Sequence, residues 1–545
     1  MSGAEALTNL ATSGARRWVR DARRRAVARL SSLRMARPPD APALPVRDPW
    51  PGDPVRGARL IKGELQCAGG SSVLRPGDWA ALAAAPSGFR AAAHSFTWLR
   101  DLRALGTDAA RLRARALVAD WIVTGAADAL AQTPHLTGAR IAAWLGHYDF
   151  FAASADDGFR QRLMARLVTD ARSLSARLPP EEVDARVLTA LKGLIAAAAA
   201  LPDHAGLMTR ALRFLPQEVE RQILPDGCHA ERSPAVQLSA LQDLTEIRTL
   251  LQAAQIAPPV ELTAAIERAA TALRVLRHGD GGLALFNGTR EETAGLIELV
   301  LSQAGRGGRG GPSSLPDGGF QRLQAGKTVV MVDCGAPPPP GLDRRAHAGT
   351  LSLEISVGRE RLIVNCGGTE SANKEWQQAL RTTAAHSTLV IADLSSSETR
   401  ADGIGRRPEK VEVHRQEANG AHWLEISHDG WRKPFGAVHR RRLYVSENGE
   451  DVRGEDTVEA EVGQPFSVRF HLHPAVSASL QQDGDSVLLR LPSGSFWRLR
   501  ADGACISLEE AVYFGADSPR RSEQVVMVAD QDGPQQVKWA LSKVN

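Results

Sequence analysis

Apolar residues recur at helical spacing from about residue 71 to about residue 304. Stretches such as WLRDLRALGTDAARLRARALVADWIV and LTGARIAAWLGHYDFFAA place Ala, Leu and Val three or four residues apart. That period is typical of amphipathic helices, and short breakers such as ALPDHAG separate successive helical runs. The pattern predicts an all-α domain of paired antiparallel helices over residues 41–304.

A different pattern begins after residue 319. Polar and β-branched residues alternate in KTVVMVDCG, LSLEISVGRERLIVNCGG, HWLEISHDGW and FSVRFHLHP, and turn signals such as ENGED and PSGS lie between such runs. Alternation of this kind predicts short strands. Many short strands with no helical period between them indicate an antiparallel sandwich or barrel, so residues 320–545 are predicted to form a β domain.

The segment between the two patterns, residues 305–319, reads GRGGRGGPSSLPDGG. Its Gly and Pro content cannot sustain a helix. Arg-Gly-Gly units also occur in nucleic-acid-binding proteins, but two units at a change of composition favour a linker. A chain of 545 residues is in any case expected to form at least two domains.

Positive charge is concentrated at the N-terminus. Residues 1–37 hold nine arginines against Glu5 and Asp21, a local charge of +7, so the rest of the chain carries −3 of the total of +4. This basic tail, residues 1–40, lacks the apolar core of a secretion signal. It is interpreted either as an amphipathic helix resting on an anionic membrane or as a solvated leader, and no nucleic-acid partner is expected.

The five cysteines are odd in number and lack CxxC spacing. They therefore indicate neither a disulfide framework nor a thiolate metal cluster, and small buried apolar roles are expected for them. No run of 18 apolar residues is present in the sequence, so no membrane-spanning helix is predicted.

Several strings narrow the interpretation further. The distinctive strings are FTWLRDLRALG, DGCHAERSPAVQ, RRAHAGTLSLEISVGRERLIVNCGG, RTTAAHSTLVI and RFHLHPAV. Together they resemble the heparinase II/III-like polysaccharide lyases over about residues 80–545. The resemblance implies an N-terminal (α/α) toroid followed by a C-terminal antiparallel β-sandwich. It also implies an acidic polysaccharide, such as a glycosaminoglycan or another uronic-acid-containing glycan of the cell envelope, as the substrate.

The chemistry implied is β-elimination, which needs a group that neutralises the uronate carboxylate, a base and an acid. The family pattern is altered at three sites here, one of which covers two residues. In SPAVQ the family's Tyr and His are replaced by Val236 and Gln237, Lys192 stands where relatives carry an Asn on a helix facing the cleft, and Arg345 replaces the first histidine of a His-x-His pair. Arg345 and Lys192 are therefore candidates for holding a carboxylate.

Zinc is the one cofactor that the resemblance suggests. Related lyases hold a structural zinc with a His, an Asp and a later His, and the matching positions here are His347, Asn365 and His386. Neutral Asn is a poorer zinc ligand than Asp. The alternative is a pair of buried histidines that are hydrogen-bonded to each other, and both interpretations stay open.

The remaining candidates come from two motifs. Tyr148, beside His147 in WLGHYDFF, is one of only three tyrosines and could transfer a proton, although an aromatic residue in such a stripe more often packs between helices. Glu231 and Arg232 in CHAERSP could grip and orient a uronate, or could simply serve a helix start.

These observations predict a polysaccharide lyase, a carbon-oxygen lyase, that uses His347, His386, Tyr148 and Arg345 as catalytic residues. Glu231, Arg232, Lys192 and His147 would then bind the substrate. The alternative is a catalytically silent protein that keeps the fold for glycan binding or envelope assembly. The family suggests the periplasm, whereas the lack of a recognisable secretion signal suggests the cytoplasm.

Overall fold

The computed structural model describes residues 38–67, 70–201, 205–305, 312–369, 373–482, 484–515, 518–529 and 535–544. The predicted membrane-binding tail lies almost wholly outside these residues. By contacts between Cα atoms the chain divides into two compact units. Unit 1 comprises residues up to 66, 71–218 and 246–259, and unit 2 comprises residues 67–70, 219–245 and 260–545.

Helices dominate the first half of the chain. In chain order they are α1 (Pro54–Ile61), α2 (Ser87–Ser95), α3 (Leu99–Leu105), α4 (Asp108–Val123), α5 (Pro134–Gly146), α6 (Tyr148–Phe151), α7 (Asp157–Ala176), α8 (Arg186–Ala200), α9 (Ala205–Gln222), α10 (Pro234–Ala253), α11 (Val260–Val275) and α12 (Ala294–Ala304). Two short helices occur later, α13 (Lys374–Ala379) and α14 (Arg432–Phe435). None of the helices within the described residues has the length and apolarity needed to cross a membrane.

Local sequence explains where the helices of unit 1 begin and how closely they pack. The side chains of Thr107 and Asp156 accept backbone N–H groups at the starts of α4 and α7, which satisfies donors that a helix start leaves open. Helices α5 and α8 meet at Gly138 and Gly193, where a Cβ on Gly193 would lie only 2.2 Å from the Gly138 carbonyl oxygen. Glycine is therefore required at this crossing.

Strands dominate the second half. They are β1 (Glu64–Cys67), β2 (Gly70–Val73), β3 (Ser314–Leu315), β4 (Phe320–Ala325), β5 (Thr328–Asp333), β6 (Leu353–Val357), β7 (Glu360–Val364), β8 (Leu389–Ile391), β9 (Thr399–Arg400), β10 (Gly403–Ile404), β11 (Val411–Ala418), β12 (Ala421–Trp431), β13 (Ala437–Val445), β14 (Asp451–Glu459), β15 (Phe466–Leu472), β16 (Ser477–Leu480), β17 (Ser486–Arg490), β18 (Phe496–Asp502), β19 (Ala504–Tyr513), β20 (Arg520–Ala529) and β21 (Gln536–Val544).

Two large antiparallel sheets form the sandwich of unit 2. One has eight strands in the order β11-β12-β13-β14-β21-β18-β17-β16, and the other has nine, with the path β19-β20-β15-β7-β6-β5-β4-β3 and β8 paired to β15. Inward side chains of both sheets, among them Leu353, Phe470, Leu443 and Trp497, share one apolar core. The predicted helical toroid followed by a β-sandwich is confirmed.

The change of secondary structure falls where the sequence pattern changes, because the last helix of the first half ends at Ala304 and β3 begins at Ser314. β3 lies inside the predicted linker and pairs with β4. The compact units divide elsewhere, since residues 219–245 and 260–304 cluster with the sheets. All five cysteines are free, and Cys228, Cys334 and Cys366 are buried, but Cys505 is exposed, so the expected burial is wrong for that thiol.

Candidate functional site

Lys192 and His147, two predicted residues of unit 1, are connected by a series of polar contacts. Lys192 Nζ lies 3.1 Å from Glu246 Oε1, and the same oxygen accepts the indole N–H of Trp50 at 2.6 Å. The backbone N–H of Trp50 donates in turn to Asp48 Oδ1 at 3.0 Å. Lys192 is therefore held beside a carboxylate of its own unit.

His147 lies at the other end of this series of polar contacts. Its Nε2 donates to Asp48 Oδ2 at 3.2 Å, and Arg100 Nη2 donates to the same oxygen at 2.9 Å. Burial would raise the pKa of Asp48, but His147 and Arg100 outweigh it and hold that pKa below its usual value. Burial lowers the pKa of His147 more than Asp48 raises it, so a neutral imidazole faces a carboxylate.

Tyr148, the adjacent residue, starts α6 and is buried. Its hydroxyl is enclosed and has no hydrogen-bond partner among the described residues. Burial raises the pKa of Tyr148, which works against use of the phenolate as a base. The role predicted for Tyr148 stays a prediction.

His347 and His386 of unit 2 form a hydrogen-bonded pair. His347 Nδ1 lies 3.1 Å from His386 Nε2, with the two rings nearly perpendicular and their centroids 5.2 Å apart. His386 Nδ1 lies 2.7 Å from the carbonyl oxygen of Thr382. Since a carbonyl only accepts, His386 must donate from Nδ1 and accept at Nε2, and His347 must donate from Nδ1.

In this arrangement the one ring nitrogen of the two histidines that keeps an unshared electron pair is Nε2 of His347. Burial lowers the pKa of His386 to about 4, and burial together with the neighbouring His386 lowers the pKa of His347 well below its usual value. Among the described residues, no group is hydrogen-bonded to Nε2 of His347. His347 is therefore a neutral imidazole that can accept a proton at one defined atom.

The loop at Asn287 and Gly288 positions His347. Asn287 Oδ1 accepts the backbone N–H of His347 at 3.0 Å, and its Nδ2 donates to the carbonyl of Arg232 at 2.8 Å. Gly288 follows with φ of 73°, and a Cβ there would lie 3.3 Å from Nε2 of His347. Glycine suits both the left-handed backbone and the close approach.

Arg232 has its donors committed within unit 2. Its Nε donates to the carbonyl of Gly318 at 2.6 Å, and its Nη atoms donate to the carbonyls of Gly319, Gly335 and Ala336 and to the carboxylate of Asp333. A guanidinium has five N–H groups, so each has an acceptor here. A uronate carboxylate would have to displace one of these contacts to bind Arg232.

The neighbouring candidates differ in exposure. Glu231 is buried, and its backbone N–H donates to Nδ1 of His229 at 3.1 Å. Arg345 is exposed, two residues before His347, and its carbonyl oxygen lies 3.6 Å from where a Cβ of Gly288 would be. Among the substrate-binding and catalytic candidates of unit 2, Arg345 is the cation that solvent reaches.

Asn365 is engaged by the protein rather than open to a metal. Its Oδ1 accepts the backbone N–H of Ser387 at 2.9 Å, and its Nδ2 donates to Glu354 at 3.2 Å. Two imidazoles alone fall short of the three or more protein ligands of a zinc site. Within the described ranges no cluster of three His, Cys, Asp or Glu residues is placed to hold a metal, so the donor set does not fit zinc.

Sequence comparison identifies the family of the protein. Residues 307–540 match the family model described as heparinase II/III-like, C-terminal. Along nearly its whole length, 94% of this chain and 92% of the relative, the sequence is 34% identical to FtsZ-localized protein C of Caulobacter vibrioides (strain NA1000 / CB15N). This chain belongs to the heparinase II/III-like family.

Solved structures of heparinase-type lyases share the fold. A crystal structure of heparinase III superposes with a TM-score of 0.70 at 15% identity, covering 85% of this chain and 78% of that one. A heparan sulfate lyase HepC mutant from Pedobacter heparinus gives 0.62 at 14% identity, covering 100% and 91%. At such identities the likeness concerns the fold of this heparinase II/III-like chain and not its activity.

The structure brings the predicted residues of this heparinase II/III-like protein together in two sets. Lys192 and His147 are linked within unit 1, and His347, His386 and Arg345 are grouped within unit 2. Sequence reasoning missed the residues that organise each set, which are Asp48, Trp50 and Glu246 in the first and Asn287 and Gly288 in the second. Asn-Gly directly after the apolar run LALF was a usable turn signal.

Proposed function

We propose that this protein acts together with FtsZ, as a binding protein that keeps the heparinase fold. The proposal is carried by the 34% identity to FtsZ-localized protein C over 94% of this chain and 92% of the relative. An alignment of that extent runs through helical and β regions alike. It therefore compares two whole proteins rather than one shared module.

The contacts around the altered family positions support binding rather than lysis. Val236 is buried and has no proton to exchange. The amide of Gln237 donates to the carbonyls of Gly227 and Ala269 at 2.9 and 3.0 Å and accepts the backbone N–H of His229. A side chain whose polar atoms are all hydrogen-bonded to backbone groups of the protein holds local structure.

The test is localisation in living cells. A fluorescent fusion expressed in the native host should coincide with labelled FtsZ and should disperse when FtsZ is depleted, and the purified protein should sediment with FtsZ polymers. Fluorescence that ignores FtsZ, together with no co-sedimentation, would contradict the proposal.

A second candidate is β-elimination on a uronic-acid-containing glycan, because His347 presents a lone pair at Nε2 close to the exposed Arg345. In that reaction a base takes the C5 proton of a uronate, the electron pair of the C–H bond forms a C4=C5 double bond as the C4–O bond breaks, and the leaving oxygen takes a proton from water. His347 would be the base, and Arg345 would neutralise the carboxylate. The family resemblance to lyases of acidic polysaccharides supports this candidate.

One assay distinguishes the two candidate functions. The protein is incubated with alginate, heparan and bacterial exopolysaccharides, and the ultraviolet absorbance of the unsaturated uronate is followed. The leading proposal expects no rise from wild type. A rise that His347→Gln abolishes, in a variant whose thermal unfolding stays within a few degrees of wild type, would make the protein a lyase.

A further inference from the structure

The outer face of the eight-stranded sheet carries two groups of arginines. In the first group, on β13 and β14, every guanidinium has a carboxylate partner: Arg440 pairs with Glu425 and Glu459, Arg442 with Glu425 and Glu455, and Arg453 with Asp451. This group, the paired arginines, is close to neutral as a whole.

The second group lies on β17 and β18 and consists of Arg490, Arg498 and Arg500, here named the arginine row. Among the described residues, no carboxylate lies within ion-pair distance of any of the three. The guanidinium of Arg490 lies 6.0 Å from the ring of Phe496, and Nε of Arg498 is enclosed without an acceptor. The row is therefore a line of uncompensated positive charge.

Strand register explains why the row is uncompensated. The residues directly across from Arg498 are Leu488 and Ser542, and those across from Arg500 are Ser486 and Ala540. Cross-strand neighbours are the residues that normally supply an opposite charge on a sheet. Asp502 lies on the same face two residues after Arg500, but the residue directly across from it is Lys538. The arginine row therefore ends before Asp502.

The spacing of the row is set by the strands. Arg498 and Arg500 are two residues apart on one face, so their Cα atoms are about 6.7 Å apart. Arg490 lies across from Phe496 and is therefore diagonal to Arg498, at about 7–8 Å. The Cα atoms of the three arginines thus follow each other at about 7 Å.

We propose that the arginine row binds an extended acidic segment of another polypeptide, with Asp or Glu at alternate positions. Alternate side chains of an extended chain repeat at about 6.7 Å on one side, which matches the spacing of the row. Guanidinium groups bind carboxylates bidentately. The backbone of an extended peptide fixes this repeat, so an acidic peptide is the ligand that the geometry favours.

The arginine row does not depend on the role proposed with FtsZ, because it rests on ion pairing and register alone. A single exposed ion pair contributes little, so three must act together for measurable affinity. Because exposed charges are screened by salt, binding should be strongest at low ionic strength.

The experiment compares two variants with the same loss of charge on the same face. Arg490→Gln/Arg498→Gln/Arg500→Gln removes the row, and Arg440→Gln/Arg442→Gln/Arg453→Gln removes the paired arginines. Fluorescence anisotropy follows two labelled twelve-residue peptides of equal composition. One alternates Glu and Ser, and the other, the control peptide, repeats Glu-Glu-Ser-Ser, so that no two of its Glu residues are two positions apart. Circular dichroism checks that both variants are folded.

Wild type should bind the alternating peptide several-fold more tightly than the control peptide. Removing the row should weaken binding of the alternating peptide at least tenfold, and removing the paired arginines less than threefold. Equal loss in both variants, or no binding by wild type at about 50 mM salt, would overturn the proposal. It would also be overturned if the row variant lost binding to anionic phospholipid vesicles or polyglucuronate but kept its binding to the peptide.

Discussion

Unit 2 contains two buried histidine pairs with nearly the same ring geometry and different surroundings. The rings of His347 and His386 are 5.2 Å apart at 83°, and those of His428 and His439 are 5.4 Å apart at 84°. The first pair is joined by a direct hydrogen bond. In the second pair, Nε2 of His428 and Nδ1 of His439 are enclosed without partners in the described chain.

The difference lies in a carboxylate. His439 Nε2 donates to Asp456 Oδ1 at 2.7 Å, Arg441 Nε donates to the same oxygen at 2.7 Å, and Trp539 Nε1 donates to Oδ2 at 2.9 Å. Among the residues that the structure describes, no carboxylate is hydrogen-bonded to the first pair, which instead ends on the carbonyl of Thr382. A pair that is tied to a buried ion cluster serves the core, whereas a pair with an open lone pair can serve chemistry.

The largest effect is expected from Asp456→Asn. The change leaves Arg441, which is fully buried, without its counter-charge, and this should cost roughly 3–5 kcal/mol in the free energy of unfolding. Urea denaturation measures it. As a control, Glu459→Gln removes an exposed partner of Arg440 and should cost less than about 1 kcal/mol; equal costs would show that Asp456 is not the centre of the cluster.

A smaller loss is expected from His386→Ala in the first pair. The change leaves the Nδ1–H group of His347 buried without an acceptor and opens a cavity, for a cost of about 2–3 kcal/mol. His386→Gln restores an acceptor and should recover part of it. If both substitutions were equally costly in denaturation curves, the hydrogen bond between the two rings would not matter.

The pH dependence of stability should reveal the contribution of His428 in the second pair. Burial, together with the neighbouring His439 and Arg441, lowers the pKa of His428 well below its usual value. The unfolded chain therefore takes up a proton first, so stability falls as pH falls below about 6.5, by up to about 1.4 kcal/mol per pH unit for this group. In urea midpoints between pH 7 and 5, His428→Asn should reduce that slope, and an unchanged slope would assign it to other groups.

The smallest effect is expected from metal removal. The first pair offers two nitrogens and Asn365 is committed to Ser387 and Glu354, so dialysis against a chelator should leave the thermal unfolding midpoint unchanged. A lowered midpoint that zinc restores would show a metal site with ligands other than Asn365.

Sequence pattern was enough for the fold because both periods are long and uninterrupted. Helical spacing up to Ala304 and alternation after residue 319 correspond to the helices and strands observed. Alternation also determines that Arg441 points inward between the outward Arg440 and Arg442, although an arginine is seldom expected there. Its burial depends on Asp456, fifteen residues away on the next strand.

The candidate site was predicted less completely, because spacing along the chain does not show which polar groups are already committed. His347 and His386 are thirty-nine residues apart and were matched through the family motif, and they do meet. The commitment of Arg232 to acceptors about a hundred residues later, and of Lys192 to Glu246, depends on folding. These contacts are invisible in a single sequence.

The five contacts of Arg232 also determine how the chain can be shortened. A fragment that starts at residue 260 would keep Asp333 buried but lose the guanidinium that neutralises it, and it would be expected to express poorly. A fragment that starts ahead of Val219 retains the arginine with every one of its acceptors. A fragment made to crystallise the sandwich should therefore keep the chain from residue 219 onward.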